Sequence, residues 1–259
     1  MSNYWKDRVA LAQTKISEKN IKQIEKQLKI YYGASMNRII NDFENTYNKL
    51  LATAAEGKQL TPADLYKLDK YWQMQAQMRK ELQKLGDKKI ALFSKIFETN
   101  YFEIYYSINI EGATAFSTID DTVAHQVINQ IWCTDGKNWS ERIWNDTAKL
   151  QETLNDRLID CVIAGKKPTE LKKQLQEQFG VSYRRADSIV RTEIAHIQTQ
   201  AAEKRYKDYG IEEVEIWADE DERRCPHCGK LHQTKYPIGT EVPIPAHPNC
   251  RCCIVPVIK

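Results

Sequence analysis

No stretch of this sequence supplies the roughly 18 to 20 consecutive apolar residues that a membrane-spanning helix requires; its apolar runs are short and interrupted. The opening MSNYWKDRVALAQTK has no apolar signal core, so export by the usual route is not expected and a cytoplasmic origin is. Ten glycines and eight prolines among 259 residues argue against a low-complexity or disordered chain. Charge of one sign is lacking too: 38 basic against 35 acidic residues leave +3, so no global basic field advertises nucleic acid, and any contact with DNA must be local. There is no glycine-rich phosphate loop, nucleophile elbow or paired-carboxylate signature. What remains is a chain long enough to bury a core as one large or two modest domains.

Helical periodicity dominates what is present. Ile24, Leu28, Tyr31, Tyr32, Ile39, Phe43, Tyr47, Leu50 and Ala54 fall on one stripe, which predicts an extended helix from Ile21 with a bend at Gly33. Thr61, Pro62 and Asp64 form a helix start, and the following helix is expected to close at Gly86. Another runs through Ile90, Phe93, Phe97, Tyr101 and Ile104. The segment 109–144 is less regular, with turn signals at Glu111-Gly112 and Asp135-Gly136. Ser140 reads as the cap of a helix reaching Gly165; a short helix follows Pro168 to about Gly180, and Ser182 begins the last, which stops at Gly210. Only then does the period change to two, in VEIW (Val214 to Trp217) and in the terminal CIVPVIK. The expected fold is mainly α, with long N-terminal helices and a small α+β C-terminal module. The expected regions are a helical 1–110, a helical middle 111–212 and a β-rich module 213–259.

Five of the seven cysteines lie between Arg223 and Cys253. In a reducing compartment such spacing reads as metal binding, whereas lone Cys133 and Cys161 read as small buried hydrophobes. Cys225-Pro-His-Cys228-Gly229 sets two thiols on one tight turn, and His247, Cys250 and Cys252 follow about 20 residues later on a proline-stiffened approach. Five donors compete for four tetrahedral positions. The expected set is Cys225, Cys228, His247 and Cys250, with Cys252 as substitute because neighbours on an extended segment face opposite ways. A closed set of this kind implies structural Zn2+ stapling a module with little core of its own. The alternative is a set of reduced cysteines scattered in a small β-layer.

Other residues admit a chemical and a bland reading. Glu193 and His196 share a helix face as an acid/base pair or as packing; Trp132, Trp139 and Trp144 form a base-stacking platform or core anchors. ADEDERR, before the first cysteine pair, is an acidic metal site or a charged turn in which Arg223 and Arg224 pair with Asp219, Asp221 or an outside partner. In each case the bland reading is preferred.

The ordered series WCTDGKNWSERIW, IVRTEIAHIQTQAAEKRYKDYG, VEIWADEDERRCPHCGKLH and PIPAHPNCRCCIVPV closely resembles the C-terminal part of the phage head-morphogenesis, or minor capsid, family of the Mu F-like type. It spans about residues 125 to 259; the helical N-terminal part, with YWKDR, resembles minor capsid proteins in general character. The resemblance puts the RTE motif on Arg191, Thr192 and Glu193, the acidic-Arg element on Asp221 and Arg223, the cysteine pair on Cys225 and Cys228, and the final signature on His247, Cys250, Arg251 and Cys252. It implies a structural virion or procapsid component rather than an enzyme. Such a component is associated with the portal vertex or capsid interior, meets portal, coat or scaffold protein, and acts in head assembly, DNA packaging or ejection. Relatives with appended toxin or ADP-ribosyltransferase domains are longer, so no appended enzyme is expected here. A DNA-binding zinc module touching packaged duplex through Arg251 and RRCPHCGK is the alternative. A zinc-dependent nuclease using His232 or Glu193 ranks last.

Overall fold

The computed structural model describes residues 4–54, 61–110, 120–218 and 224–258. Six helices precede a small sheet: α1 Tyr4–Ala54, α2 Pro62–Leu65, α3 Asp69–Ser107, α4 Asp121–Asn129, α5 Trp139–Ile163 and α6 Pro168–Asp208. Then come β1 Glu213–Trp217, α7 Pro226–Leu231, β2 Lys235–Pro237 and β3 Cys253–Pro256. The expected mainly α fold with long N-terminal helices and a small C-terminal sheet is what is observed. The strands are antiparallel in the order β2-β1-β3, with Val214 opposite Tyr236 on one side and Pro256 on the other.

The chain divides into two compact units. One comprises Lys26–Ala91 and Ser140–Ala186; the other comprises Met1–Glu25, Leu92–Trp139 and Asp187–Lys259. Helices α1, α3 and α6 each give a stretch to both.

In the first unit the apolar stripes meet in a helical core. Ile39, Phe43 and Tyr47 of α1, Met74, Met78, Leu82 and Leu85 of α3, Leu150, Leu154 and Leu158 of α5, and Leu171, Leu175 and Phe179 of α6 are all buried. Thr61 is the expected N-cap, and it and Asp64 form a reciprocal capping box, each side chain accepting the other's backbone N–H. Gly86 does not close a helix, as the periodicity had suggested; α3 runs through it. A Cβ there would lie 2.2 Å from Trp144 Cζ3, so this glycine admits an indole against the helix backbone. Gly180 and Ser182 likewise lie inside one continuous α6. The intrinsic cost of a helical glycine, about 1 kcal/mol, is overridden by packing on both sides, through Leu175 and Phe179 before it and Ala186 and Val190 after it. Ser140 sits within the first turn of α5 instead of capping it, and α1 begins at Tyr4, well before the expected Ile21.

A polar chain crosses this core. Lys89 Nζ, with no exposed surface, donates to Tyr32 Oη at 3.4 Å and to Thr147 Oγ1 at 2.9 Å. Tyr32 Oη lies 2.9 Å from Ser182 Oγ, which donates to Asp146 Oδ2 at 2.5 Å. Ser182 spends its hydroxyl here, which accounts for its not capping a helix. Burial pushes the Lys89 ammonium down to about 8, opposed in part by the Asp146 carboxylate.

In the second unit the sheet packs on the start of α1. Trp217, Cys253 and Val255 form an apolar cluster with Ala10, flanked by Val9. Gln13 Nε2 and Tyr206 Oη both donate to the Ile254 carbonyl, at 3.0 and 3.1 Å, and Lys6 pairs with Glu215 at 2.6 Å beneath the Trp217 ring. The sheet therefore has an apolar anchorage of its own. Trp139 packs on Phe93 and Phe97 as the expected core anchor. Cys161 is buried as expected, whereas Cys133 is only half-buried.

Candidate metal centre

Between β1 and β3 the backbone builds two small ligand platforms. Cys225 is the N-cap of α7, Pro226 occupies its first position, and the Cys228 N–H donates to the Cys225 thiol sulfur at 3.3 Å. A cap and the third helical residue lie on one turn, so both thiols project to the same side. Gly229 belongs to that helix and its φ is not positive, so the turn does not depend on glycine there.

The second platform is His247-Pro248-Asn249-Cys250. The Cys250 N–H donates to the His247 carbonyl at 3.1 Å, with Pro248 second and Asn249 third at φ +62°. Proline followed by a residue that tolerates the left-handed region is the requirement of a type II turn, and asparagine meets it. His247 Nδ1 lies 2.9 Å from the Pro248 carbonyl, an acceptor only, so that nitrogen carries the proton and Nε2 presents its lone pair.

The platforms converge. His247 Nε2 is 3.3 Å from Cys225 Sγ and 3.2 Å from Cys228 Sγ, and Cys228 Sγ is 3.9 Å from Cys250 Sγ. Cys225, Cys228 and His247 form one trio and Cys228, Cys250 and Cys252 another, with the donor atoms of each within 4.8 Å of one another and Cys228 shared. Metal–ligand bonds of about 2.3 Å to sulfur and 2.0 Å to nitrogen in a tetrahedron imply edges of roughly 3.5 to 3.8 Å. The distances within each trio are compatible with donors to one ion. The five sequence candidates fall into these two trios joined at Cys228, and the cluster is able to hold a metal.

The argument that Cys252 faces away from Cys250 is not sustained. The two are separated by one residue, which on extended backbone places them on the same side, and it is Cys253 that turns to the opposite side, into the sheet cluster. Electrostatically the group behaves as a thiol–thiolate assembly. A hydrogen bond from Cys252 draws Cys250 down to about 5, and the same bond holds Cys252 protonated, well above a free thiol. Burial pushes Cys228 up to about 12, while the Cys228 backbone N–H lowers Cys225. Beside the thiols Arg224 and Arg251 line a small cavity, together with Ala218 and Asn249.

The RTE triplet lies at the edge of this module. Arg191 pairs with Glu25 of α1 and, at 3.0 Å, with Asp187. Thr192 Oγ1 donates to the Ser188 carbonyl at 2.7 Å and accepts the Asn249 N–H at 3.2 Å. Glu193 Oε2 accepts the Trp132 indole N–H at 2.9 Å, and the Trp132 ring lies flat on His196, centroids 4.3 Å apart and planes within 5°. Glu193 and His196 are both buried, and burial lowers the imidazole to about 4, so it is neutral at physiological pH. They are packing partners of Trp132. His232 stands outside both trios; its Nδ1 accepts the Ala218 N–H at 3.2 Å and its ring packs on Trp217. Asp221 and Arg223, like the Glu111-Gly112 turn, lie outside the described residues. The Thr192–Asn249 and Glu193–Trp132 links had no sequence signal beyond the motif itself.

Comparison with known proteins follows the same segment. Residues 152–255 match the family model described as Phage Mu protein F like protein, the family indicated by the motif series, and this supports a phage head-morphogenesis protein. A second family model, DpnII restriction endonuclease, matches residues 32–163. That stretch is helical wherever it forms regular structure among the described residues and contains neither ligand trio. The chain is also 24% identical over 196 residues to an NAD(+)--arginine ADP-ribosyltransferase EFV of Enterococcus faecalis, covering 66% of this chain and 39% of that protein. No solved structure matches. Among the described residues no helix is long and apolar enough to cross a membrane.

Proposed function

We propose that this Mu F-like chain acts structurally in the phage head, as a minor capsid component of procapsid assembly associated with the portal vertex and with DNA packaging or ejection. The observation that carries the reading is the coincidence of the Phage Mu protein F-like match with a closed donor cluster whose second turn is tied to the family's RTE triplet. A set offering more protein donors than a tetrahedral ion accepts leaves no position for water, which favours a structural over a catalytic metal. The proposed ion is zinc, held by Cys225, Cys228, His247 and Cys250 with Cys252 as substitute. It would close the 35 residues between β1 and β3 (218–252), whose own apolar core is small, with Ile244 among its few buried aliphatics. Portal, coat and scaffold proteins are the proposed partners, in host cytoplasm during assembly and in the virion afterwards.

The test is deletion of the gene from a phage that carries it, with electron microscopy of the particles. Missing or empty heads place the protein in assembly or packaging, and full heads that fail to infect place it in ejection; normal infectious phage refutes the proposal. A second reading rests on Arg224 and Arg251 beside the cysteines: the module touches phosphates of packaged DNA. Duplex binding whose log affinity falls by about 0.9 per phosphate contact for each tenfold rise in salt supports it. The endonuclease and ADP-ribosyltransferase matches prompt a direct assay of the purified chain for DNA cleavage and for NAD-dependent modification of arginine; either activity replaces the structural reading with an enzymatic one.

A further inference from the structure

The helix surface that meets the His247–Cys250 turn is built for the purpose. Thr192 is mid-helix, and its hydroxyl donates back to the Ser188 carbonyl at 2.7 Å, which fixes the side chain's rotamer and aims its lone pairs outward. A type II turn closes through the N–H of its fourth residue, here Cys250, and leaves the N–H of its third, Asn249, pointing away from the turn. That spare donor meets the oriented hydroxyl at 3.2 Å. The flanking residues hold the same turn of α6 on two other sides: Arg191 through Glu25 of α1, and Glu193 through the Trp132 indole. Thr192 is therefore a fixed point, and the turn that carries His247 and Cys250 is seated on it.

We propose that Thr192 is a positioning residue for the metal, seating the His247–Cys250 turn on α6 so that its two donors meet Cys225 and Cys228 already in place. The inference rests on the metal reading above and adds to it a function for the RTE triplet: α6 is the template against which the second ligand pair is set. A ligand pair held in place before the ion arrives loses less conformational freedom on binding, and partners one shell removed from a metal commonly change its affinity by an order of magnitude or more.

The experiment uses the full chain, stripped with a chelator and titrated with Zn2+ against a chromophoric competitor under reducing conditions, with helical circular dichroism as a check on folding. Thr192→Val and Thr192→Ala, which lack the acceptor, are expected to weaken Zn2+ binding by about five- to tenfold with the helical signal unchanged. Thr192→Ser, which keeps it, is expected to bind as the unaltered chain does. Alanine is the strongest helix former, so Thr192→Ala keeps the test decisive if valine disturbs α6. Affinity unchanged in both, or lost equally in the serine variant, overturns the proposal. An unaltered chain that takes up no Zn2+ refutes the metal reading itself, which is seen before any variant is compared, and this inference falls with it.

Discussion

Two glycines in one helical environment are expected to respond differently to the same substitution. Gly33 of α1 has nothing within 4 Å of a built Cβ, so Gly33→Ala gains the intrinsic helix preference of alanine, about 1 kcal/mol, at no steric cost. Gly86 of α3 would place its Cβ 2.2, 2.5 and 3.0 Å from three atoms of the Trp144 ring. A half-buried indole ring packed on the helix backbone is not a flexible tip, so the ring or the helix must shift by about an ångström, and overpacking of this kind costs about 1 to 3 kcal/mol. After the propensity gain, Gly86→Ala is expected to leave stability unchanged or lower it by up to about 2 kcal/mol. Because the chain has two compact units, the free energy is best read locally, from native-state hydrogen exchange of α3 amides near Leu82 and Leu85. In a Trp144→Leu background the penalty of Gly86→Ala is expected to shrink, giving a coupling energy of at least about 1 kcal/mol. Equal stabilisation at both glycines, or additivity with Trp144→Leu, refutes the argument that Gly86 exists to admit the indole.

Metal analysis of freshly purified, reduced protein is expected to return about one zinc per chain; none refutes the staple. Cys228 belongs to both donor trios, so Cys228→Ser is expected to open residues 224–250 to protease while β1, β3 and the N-terminal helices stay protected, because Trp217, Cys253 and Val255 pack on Ala10 without the metal; unchanged resistance contradicts it. Lys89 is held near 8 in the folded chain against 10.5 when free, so between those pH values the unfolded chain binds more protons and this group makes stability rise with pH. The shift corresponds to about 3 kcal/mol of penalty below pH 8. Lys89→Met is therefore expected to stabilise at pH 7 by ~1 kcal/mol after the bonds to Tyr32 and Thr147 are lost, an advantage that shrinks between pH 8 and 10; a pH-independent difference counts against it. Glu193→Gln leaves an acceptor for Trp132, whereas Glu193→Ala is expected to shift Trp132 fluorescence to the red as the indole loses its partner.

Much of this molecule was legible as sequence. The periodicity of 3.6 marked the buried stripes of α1 and α3, the Thr61-Pro62 start marked α2, the change to a period of two marked β1 and β3, and the cysteine spacing marked donors that gather in two trios joined at Cys228. These signals are local: each depends on residues within a turn or two, and local chemistry settles them. Helix continuity was not local. Gly86 and Gly180 read as stops and Ser182 as a start, and packing overruled them, with Trp144 the partner at Gly86 and Asp146 at Ser182. The three-residue β2 was missed because its pairing with β1, not its own pattern, makes it a strand. The attachment of the His247–Cys250 turn to Thr192 was likewise decided by tertiary structure alone. A donor's spacing along the chain says which chemistry it is able to join. Which side it faces, and what holds it there, is set by atoms that sequence separates and packing brings within hydrogen-bonding reach.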